Sequence, residues 1–322
     1  MLKKAIQCLV KLLAGALLVL VLAAVALGLV IGGAALVNRR TPSETDLSKS
    51  ALLAAPTGPL TKDTTLKIVT FNIHDLYVAS THRPERMRAI AQVLCELDPD
   101  IAGLQESFIQ KDRAILLEGL RDSRLTYHHY YPSGLVGSGL LTLSAFPIAE
   151  TFFARYEAAG DWYKVYEGDW WAGKGGALAR LELPGGAGHI DFYNTHAQAG
   201  YGNPYYDVVR EAQMAQLADF INRSATGAAP AFLVGDMNCR PGAKDYQTAI
   251  EHANLVRLMS KKSSIDHIFG VRNDRYAFDV VDTVPISRRI PVPGGESGLS
   301  DHTGYMSTIR VVRPDAGDEA GK

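Results

Sequence analysis

Six short polar signatures punctuate this chain, and most of them directly follow an apolar run that is typical of a buried β-strand. Burying a carboxylate, an amide or an imidazole without a partner costs on the order of several kcal/mol, so a core strand seldom ends in one. Because strand after strand ends in this way, we expect the polar tips to converge on one site. The signatures are Phe71-Asn72, Gln105-Glu106, Asn194-Thr195-His196, Gly235-Asp236-Met237-Asn238, Ser264-Ile265-Asp266-His267 and Ser300-Asp301-His302.

The N-terminal region contains no charged residue from Leu12 to Val37, a run of about 26 positions that as a helix would span ~39 Å. A bilayer core requires about 20 apolar residues, whereas the apolar core of a cleaved signal peptide has only about 7–15. The sequence therefore predicts a single-pass N-terminal membrane anchor, with a cleaved signal peptide as the alternative. Three lysines precede the run and two arginines follow it, which favours a non-cytoplasmic catalytic domain.

Composition and periodicity divide the chain into five segments. These are an N-terminal basic flank (1–11), a transmembrane helix (12–37), a juxtamembrane linker (38–64), a catalytic domain (65–313) and a disordered tail (314–322). Within the catalytic domain, helices and strands alternate without a strict βαβ rhythm. This favours an α+β fold, a two-layered β-sandwich flanked by helices, over a doubly wound parallel sheet. The predicted helix over 207–224 is expected to bury Val208.

Composition narrows the function classes only slightly. The chain is 47% hydrophobic and 21% charged, and its net charge of -1 argues mildly against a nucleic-acid partner. Cys95 and Cys239 lack the spacing of a metal site or a disulfide framework, and we expect both to be buried small hydrophobic residues. The sequence contains no P-loop, dinucleotide fingerprint or nucleophile elbow, so nucleotide-cofactor and serine-hydrolase functions have no support.

Several residues in the signatures are of types that carry hydrolytic chemistry. Asp236 and Asn238 lie two positions apart at a strand end, so their side chains point the same way. A histidine of near-neutral pKa is suited to act as a general base, and an adjacent carboxylate fixes its tautomer. Two Asp-His dipeptides together with His196 favour this role over isolated structural histidines. Glu106 offers a carboxylate of the kind that binds Mg²⁺, and the lack of a Cys/His cluster argues against zinc.

The order and spacing of the six signatures resemble those of the endonuclease/exonuclease/phosphatase superfamily over roughly residues 65–313. The resemblance implies cleavage of phosphodiester or phosphomonoester bonds with Mg²⁺, for which Mn²⁺ is an alternative ion. It also implies a role for each site residue. By this resemblance, Glu106 is the main metal ligand, Asp301 supports the metal site, and Asn72 contacts the metal and the phosphate. His302 is the general base or transition-state donor, and Asp266 orients it. His196 faces the phosphoryl group, while Asp236 and Asn238 orient water and stabilise the pentacovalent phosphorus.

Within that superfamily, the stretch Gly168–Gly175 resembles neutral sphingomyelinases, as do Thr195–Ala199 and Arg210–Gln213. This resemblance implies hydrolysis of sphingomyelin to ceramide and phosphocholine, with membrane phospholipid and the lipid bilayer as partners. Lys174, which glycines flank, is a candidate to reach a phosphate oxygen, and pairing with Asp169 would hold it away as a switch. A plain surface ion pair is the alternative.

All three tryptophans, Trp162, Trp170 and Trp171, fall within ten residues. Clustered aromatic rings can enclose a quaternary ammonium group or lie at a membrane interface, which makes Trp170 and Trp171 candidates for substrate binding. Ordinary core packing is the alternative for these residues. Two further functions stay open: a nuclease or inositol-phosphate phosphatase of the same fold, and a non-catalytic, membrane-tethered binding module.

Overall fold

The computed structural model describes residues 2–43, 57–261 and 264–313, in two compact units that divide after Arg40. The first unit is one helix, α1 (Leu2–Arg40). By length and composition it can cross a membrane, in keeping with the predicted span 12–37, although a signal sequence would meet the same criterion. Residues 44–56 of the predicted linker and the predicted tail 314–322 lie outside the described residues.

The second unit contains two six-stranded sheets, a two-stranded hairpin, five α-helices and a short 3₁₀ helix (Pro184–Gly186) in its described part. The strands are β1 (Thr64–Asp75), β2 (Ile101–Ser107), β3 (Tyr127–Tyr130), β4 (Leu141–Ser144), β5 (Ile148–Arg155), β6 (Gly175–Glu182), β7 (His189–His196), β8 (Ala231–Asp236), β9 (Leu255–Arg257), β10 (Asp266–Val271), β11 (Ala277–Ile286), β12 (Arg289–Val292), β13 (Gly295–Gly298) and β14 (Gly304–Val312). The helices are α2 (Arg83–Leu97), α3 (Gln110–Gly119), α4 (Asp169–Ala172), α5 (Tyr205–Ser224) and α6 (Lys244–His252). The first sheet has the order β11-β14-β1-β2-β4-β3, the second the order β5-β6-β7-β8-β10-β9, and β12 pairs with β13.

The alternation of side chains along the strands explains how the sheets and helices pack. On β1, Ile68 points into the core between the sheets, where it joins Phe192 of the second sheet. Its neighbour Val69 points to the opposite face and packs with Ile90 of α2. On the outer face of the second sheet, α5 contributes Leu217 to a third cluster. These layers confirm the predicted two-layered β-sandwich flanked by helices.

The structure differs from the sequence prediction in its short elements and in two surface positions. Periodicity did not predict β3, β9, β12 or β13, because a strand of three or four residues offers too few alternations. It also missed two longer elements, β5 and α6. Val208 is 66% exposed, since α5 turns its neighbour Val209 inward instead. Cys95 is exposed, whereas Cys239 is buried as predicted. The residue before Cys95, Leu94, is the one that α2 directs into the core.

Candidate active site

The polar signatures meet at one end of the two packed sheets. β1 and β2 are parallel neighbours, which brings Asn72 and Glu106 to the same end of the first sheet. In the second sheet, β7 and β8 are also parallel, and His196 lies opposite Asp236. β10 runs antiparallel to β8 and begins with Asp266 opposite Asp236. The polar tips therefore converge, as their positions behind the strands predict.

Asn72 lies at the centre of the site and links the two sheets. Its Nδ2 donates to Glu106 Oε1 at 3.0 Å and to Asp236 Oδ2 at 3.0 Å. The same nitrogen lies 3.5 Å from His302 Nε2. Its Oδ1 accepts the backbone N–H of His74 at 3.0 Å, which fixes the orientation of the amide. Asn72 thus holds carboxylates from both sheets in one cluster.

Glu106 is the residue whose surroundings best fit a cation ligand. Its Oε2 is buried and has no hydrogen-bond partner. Burial raises the pKa of Glu106, although the Asn72 hydrogen bond and the charge of Lys174 oppose this effect. The residue also adopts a left-handed backbone conformation, with φ of 58°, which is uncommon outside glycine and often marks a functional site. A buried carboxylate oxygen without a partner fits a divalent cation that prefers oxygen ligands.

A second set of potential ligands lies beside Glu106. Asp236, Asp266 and His302 each offer one ligand atom, and these atoms all lie within 4.8 Å of one another. Glu106 and the two aspartates all offer carboxylate oxygens, which suit a hard ion such as Mg²⁺ or Mn²⁺ better than a soft one. The residues present therefore fit a divalent metal.

His302 is paired with Asp266 in the manner of a general base and its orienting carboxylate. His302 Nδ1 lies 3.0 Å from Asp266 Oδ2, and its Nε2 lies 3.6 Å from Asp236 Oδ2. Burial alone would lower the pKa of His302, but the hydrogen bond to Asp266 and the charges of Asp236 and Asp266 raise it to about 9. In the metal-free protein this histidine is therefore an imidazolium at neutral pH.

His196 differs from His302 in charge and surroundings. Burial lowers the pKa of His196 well below the ordinary histidine value, and the nearby charges of Lys174 and His302 lower it further. Its Nε2 lies 3.1 Å from Lys174 Nζ, so this neutral imidazole accepts a hydrogen bond from the ammonium. The site thus contains one charged and one neutral histidine, each set by its neighbours.

Lys174 is buried between an acidic partner and a backbone carbonyl. Its Nζ lies 2.7 Å from Asp169 Oδ1 and donates to Ala197 O at 2.7 Å. Asn238 Nδ2 donates to the same carbonyl at 3.1 Å, and its backbone N–H donates to Asp236 Oδ1. The structure therefore brings both predicted residues to the wall of the site that carries His196, with Lys174 paired to Asp169 as expected.

Other predicted residues lie further from the centre. The Asp301 side chain is 58% exposed, and its carboxylate lies 3.5 Å from His74 Nδ1 at the periphery. Trp171 is buried and donates its Nε1–H to Trp162 O, while its neighbour Trp170 is half-buried. In the other Asp-His pair, His267 is a core residue that stacks on Phe269. The two dipeptides thus have different roles, and only one imidazole reaches the site.

Arg86 is a site-supporting residue that the sequence analysis missed. It is buried on α2 and donates to the carbonyl oxygens of Ile73, His74 and Leu299. These carbonyls belong to the end of β1 and to the connection that carries His302. Ser300 adds to this link, because its Oγ donates to Asn72 O at 2.7 Å and accepts the backbone N–H of His302. An arginine within a predicted amphipathic helix carries no motif that would have revealed this role.

The raised pKa of His302 predicts how the stability of the metal-free protein depends on pH. Folding strengthens proton binding at this histidine, so protonated His302 stabilises the folded protein. This contribution is fully present below about pH 6.5 and is lost as pH rises through about 9. In a chelator, we expect the Tm difference between the wild type and His302→Gln to shrink between about pH 7 and 10. Thermal unfolding at a series of pH values measures it, and a constant difference would contradict the His302–Asp266 pairing.

Comparisons with known proteins agree with this geometry. The sequence profile described as "Endonuclease/Exonuclease/phosphatase family" matches residues 69–302. The chain is 34% identical to human sphingomyelin phosphodiesterase 2 over 276 residues, an alignment that covers 76% of this chain and 64% of the human protein. It is 32% identical to an inositol phosphosphingolipids phospholipase C of Schizosaccharomyces pombe, over 55% of this chain and 42% of that protein. The chain thus spans about two fifths to two thirds of the length of such relatives.

Solved structures share the fold at low sequence identity. A Staphylococcus aureus beta toxin mutant with bound magnesium ions has a TM-score of 0.60 and 17% identity, covering 76% of this chain and 99% of that one. D. rerio TDP2 complexed with a single-strand DNA product has a TM-score of 0.60 and 14% identity, covering 77% of this chain and 99% of that one. These two likenesses concern the fold alone and do not distinguish substrates. The match of the family profile over residues 69–302, which includes every signature in the described site, establishes that this chain belongs to the endonuclease/exonuclease/phosphatase family.

Proposed function

We propose that this chain is a divalent-metal-dependent phosphodiesterase that hydrolyses sphingomyelin to ceramide and phosphocholine. The observation that carries the proposal is the cluster in which Asn72 donates to both Glu106 and Asp236 and His302 pairs with Asp266. This cluster combines a metal-compatible carboxylate with a histidine and its orienting aspartate. The similarity to human sphingomyelin phosphodiesterase 2 supports the lipid substrate.

In the proposed reaction, His302 Nε2 takes a proton from the water that attacks phosphorus. Asp266 holds Nδ1 and stabilises the imidazolium that forms. His302 must be neutral for this step. A divalent cation bound nearby would lower the pKa of its imidazole and favour the neutral form. Asp236 accepts from the Asn72 amide and helps to orient the attacking water.

On the opposite wall, donors are available for the phosphate oxygens. Asn238 contributes an amide beside the neutral imidazole of His196. Lys174 contributes positive charge, and its ammonium must exchange one of its partners, Asp169, Ala197 O or His196, to donate to a phosphate oxygen. Donors fixed by the fold before the reaction stabilise developing charge more effectively than water does. A Mg²⁺ ion held by Glu106 and Asn72, with Asp301 at the periphery, would supply charge that neutralises the phosphate, and Mn²⁺ could replace it.

We also propose that α1 anchors the enzyme in a membrane and that the catalytic domain lies on the non-cytoplasmic side. The length and apolar character of α1 support the anchor. The excess of positive charge before its apolar run supports the orientation.

A direct assay tests the proposed function. Purified full-length protein with Mg²⁺ is offered sphingomyelin, phosphatidylcholine, inositol phosphoceramide and a supercoiled plasmid, with a chelator as the control. We expect release of phosphocholine from sphingomyelin, and its loss in the chelator. Hydrolysis of inositol phosphoceramide alone would indicate that the enzyme prefers the inositol phosphate head group, as the name of the Schizosaccharomyces pombe relative states for that protein. Cleavage of the plasmid alone would overturn the lipid substrate and favour a nuclease of this family.

A further inference from the structure

Three loops of the catalytic domain expose large apolar side chains. In the first loop Val78 is 96% exposed, and in the third Tyr166 is 85% exposed. Such exposure is unfavourable in water, and contiguous apolar patches usually mark an interaction surface. We call this surface the apolar rim, which consists of Tyr77, Val78, Leu135, Val136, Val165 and Tyr166.

The strand directions place all three loops at the end of the sandwich that carries the candidate active site. The first loop follows β1, which ends beside the site. The second joins β3 to β4, and because β4 runs antiparallel to both β2 and β3, β3 ends at the same edge as β1. The third joins β5 to β6, and β6 is antiparallel to β7, so β6 begins where β7 ends at His196. The apolar rim therefore surrounds part of the site rather than a remote face.

Hydrogen bonds attach the second and third loops to the segment that carries Lys174. The backbone N–H groups of Leu135 and Val136 donate to Trp171 O at 3.0 and 3.3 Å. Trp171 Nε1 donates in turn to Trp162 O at 3.1 Å, within the third loop. Two loops of the rim and the helix before Lys174 thus form one hydrogen-bonded wall.

The opposite side of the same end lacks this character. The connection from β11 to β14 contains the β12–β13 hairpin, and in the residues described there no large apolar side chain is exposed. The hairpin presents Arg289 and Glu296 instead, which face each other at 3.5 Å. The apolar rim and this polar hairpin therefore lie on different sides of the site.

We propose that the apolar rim enters the headgroup layer of a zwitterionic phospholipid bilayer and holds the site at the depth of the lipid phosphate. This inference rests on the proposed function, because a lipid substrate presents its phosphate only at the bilayer surface. The mixture of tyrosine and aliphatic side chains suits that layer, where amphipathic rings and apolar groups meet both water and acyl chains.

Local charge favours zwitterionic over anionic lipid. Lys164, the cation beside Val165 in the third loop, lies 3.2 Å from Asp161 and 4.0 Å from Glu167. It also lies over the ring of Tyr206, 4.8 Å from the centroid. A lysine neutralised in this way adds little attraction for an anionic surface, so burial of the apolar side chains is the main contribution to docking.

The first test compares vesicle and soluble substrates. The double variant Val165→Asp/Tyr166→Asp is reconstituted as the full chain in vesicles of phosphatidylcholine and sphingomyelin, beside the control Val281→Asp, whose side chain is 65% exposed on β11. We expect at least a tenfold loss of sphingomyelin hydrolysis in the double variant and none in the control. Hydrolysis of a soluble aryl phosphocholine ester should stay unchanged in both. An equal loss on both substrates, or no loss on vesicles, would overturn the proposal.

A second measurement separates the rim from the proposed reaction. A polarity-sensitive fluorophore is attached at Val165→Cys or Val281→Cys, in a chain whose exposed Cys8 and Cys95 are replaced by serine. In vesicles, we expect a blue shift at position 165 only. This shift needs no catalysis, so a chain that fails every hydrolysis assay still reports on the rim. A label at position 165 that remains in a water-like environment would disprove insertion and leave a protein partner as the occupant.

Discussion

Replacing His302 with alanine is expected to lower kcat for sphingomyelin hydrolysis by about 10²–10⁴-fold, the usual contribution of a positioned general base. The structure gives His302 the two contacts that this role requires. Its Nδ1 is held by Asp266 at 3.0 Å, and its Nε2 faces the cluster of Asn72 and Asp236. KM should change little, because the imidazole acts on water rather than on the lipid. Initial rates at saturating substrate measure the effect.

The matched control is His252→Ala, which removes an exposed histidine from α6. This variant should keep wild-type activity, and both variants should unfold cooperatively. Asp266→Asn should produce a smaller loss than His302→Ala, since it removes the orienting charge but leaves the imidazole. If His302→Ala retained wild-type kcat, the general base would have to be another residue, and the proposed mechanism would fail.

The convergence of strand ends was predictable because it depends on two local rules. An apolar run followed by a polar tip identifies the end of a buried strand, and parallel neighbours bring such ends together. Asn72, Glu106, His196 and Asp236 follow these rules, and the structure places them in one cluster. Asp266 instead begins β10, and the antiparallel pairing of β10 with β8 brings it to the same end. The double-layered fold follows from the same alternation of helices and strands.

What could not be predicted depends on contacts between distant segments. Asp266-His267 and Asp301-His302 have the same local pattern. His267 nevertheless lies in the core, whereas His302 lies in the site. The difference depends on which side of its strand or loop each histidine occupies. Asp301 lies at the periphery because the Ser300 hydrogen bond to Asn72 O fixes the turn before it. Arg86 contacts three carbonyls that lie up to 213 positions away in the sequence. No pattern within α2 contains that information.

Replacing Glu106 with glutamine is expected to reduce activity by a factor of about 100 or more at low Mg²⁺. Outer-shell changes at metal sites typically cost about 10–100-fold in affinity or activity, and a direct ligand should cost at least as much. Glutamine has nearly the same shape and keeps an oxygen that can accept from Asn72, but it removes the negative charge beside the buried Oε2. The Mg²⁺ concentration for half-maximal activity should rise accordingly, and titration of activity with Mg²⁺ measures it.

The same substitution should not destabilise the metal-free protein, and this combination distinguishes a metal ligand from a structural carboxylate. Burial raises the pKa of Glu106, so folding opposes its ionised form, and a neutral amide avoids that cost. We therefore expect Glu106→Gln to have an equal or higher Tm in a chelator but to gain less stability on adding Mg²⁺, since a weaker ligand shifts the folding equilibrium less. The exposed Glu118→Gln is the control and should alter neither quantity. A lower Tm in the chelator, with an unchanged response to Mg²⁺, would mean that Glu106 supports the fold and that the cation binds elsewhere.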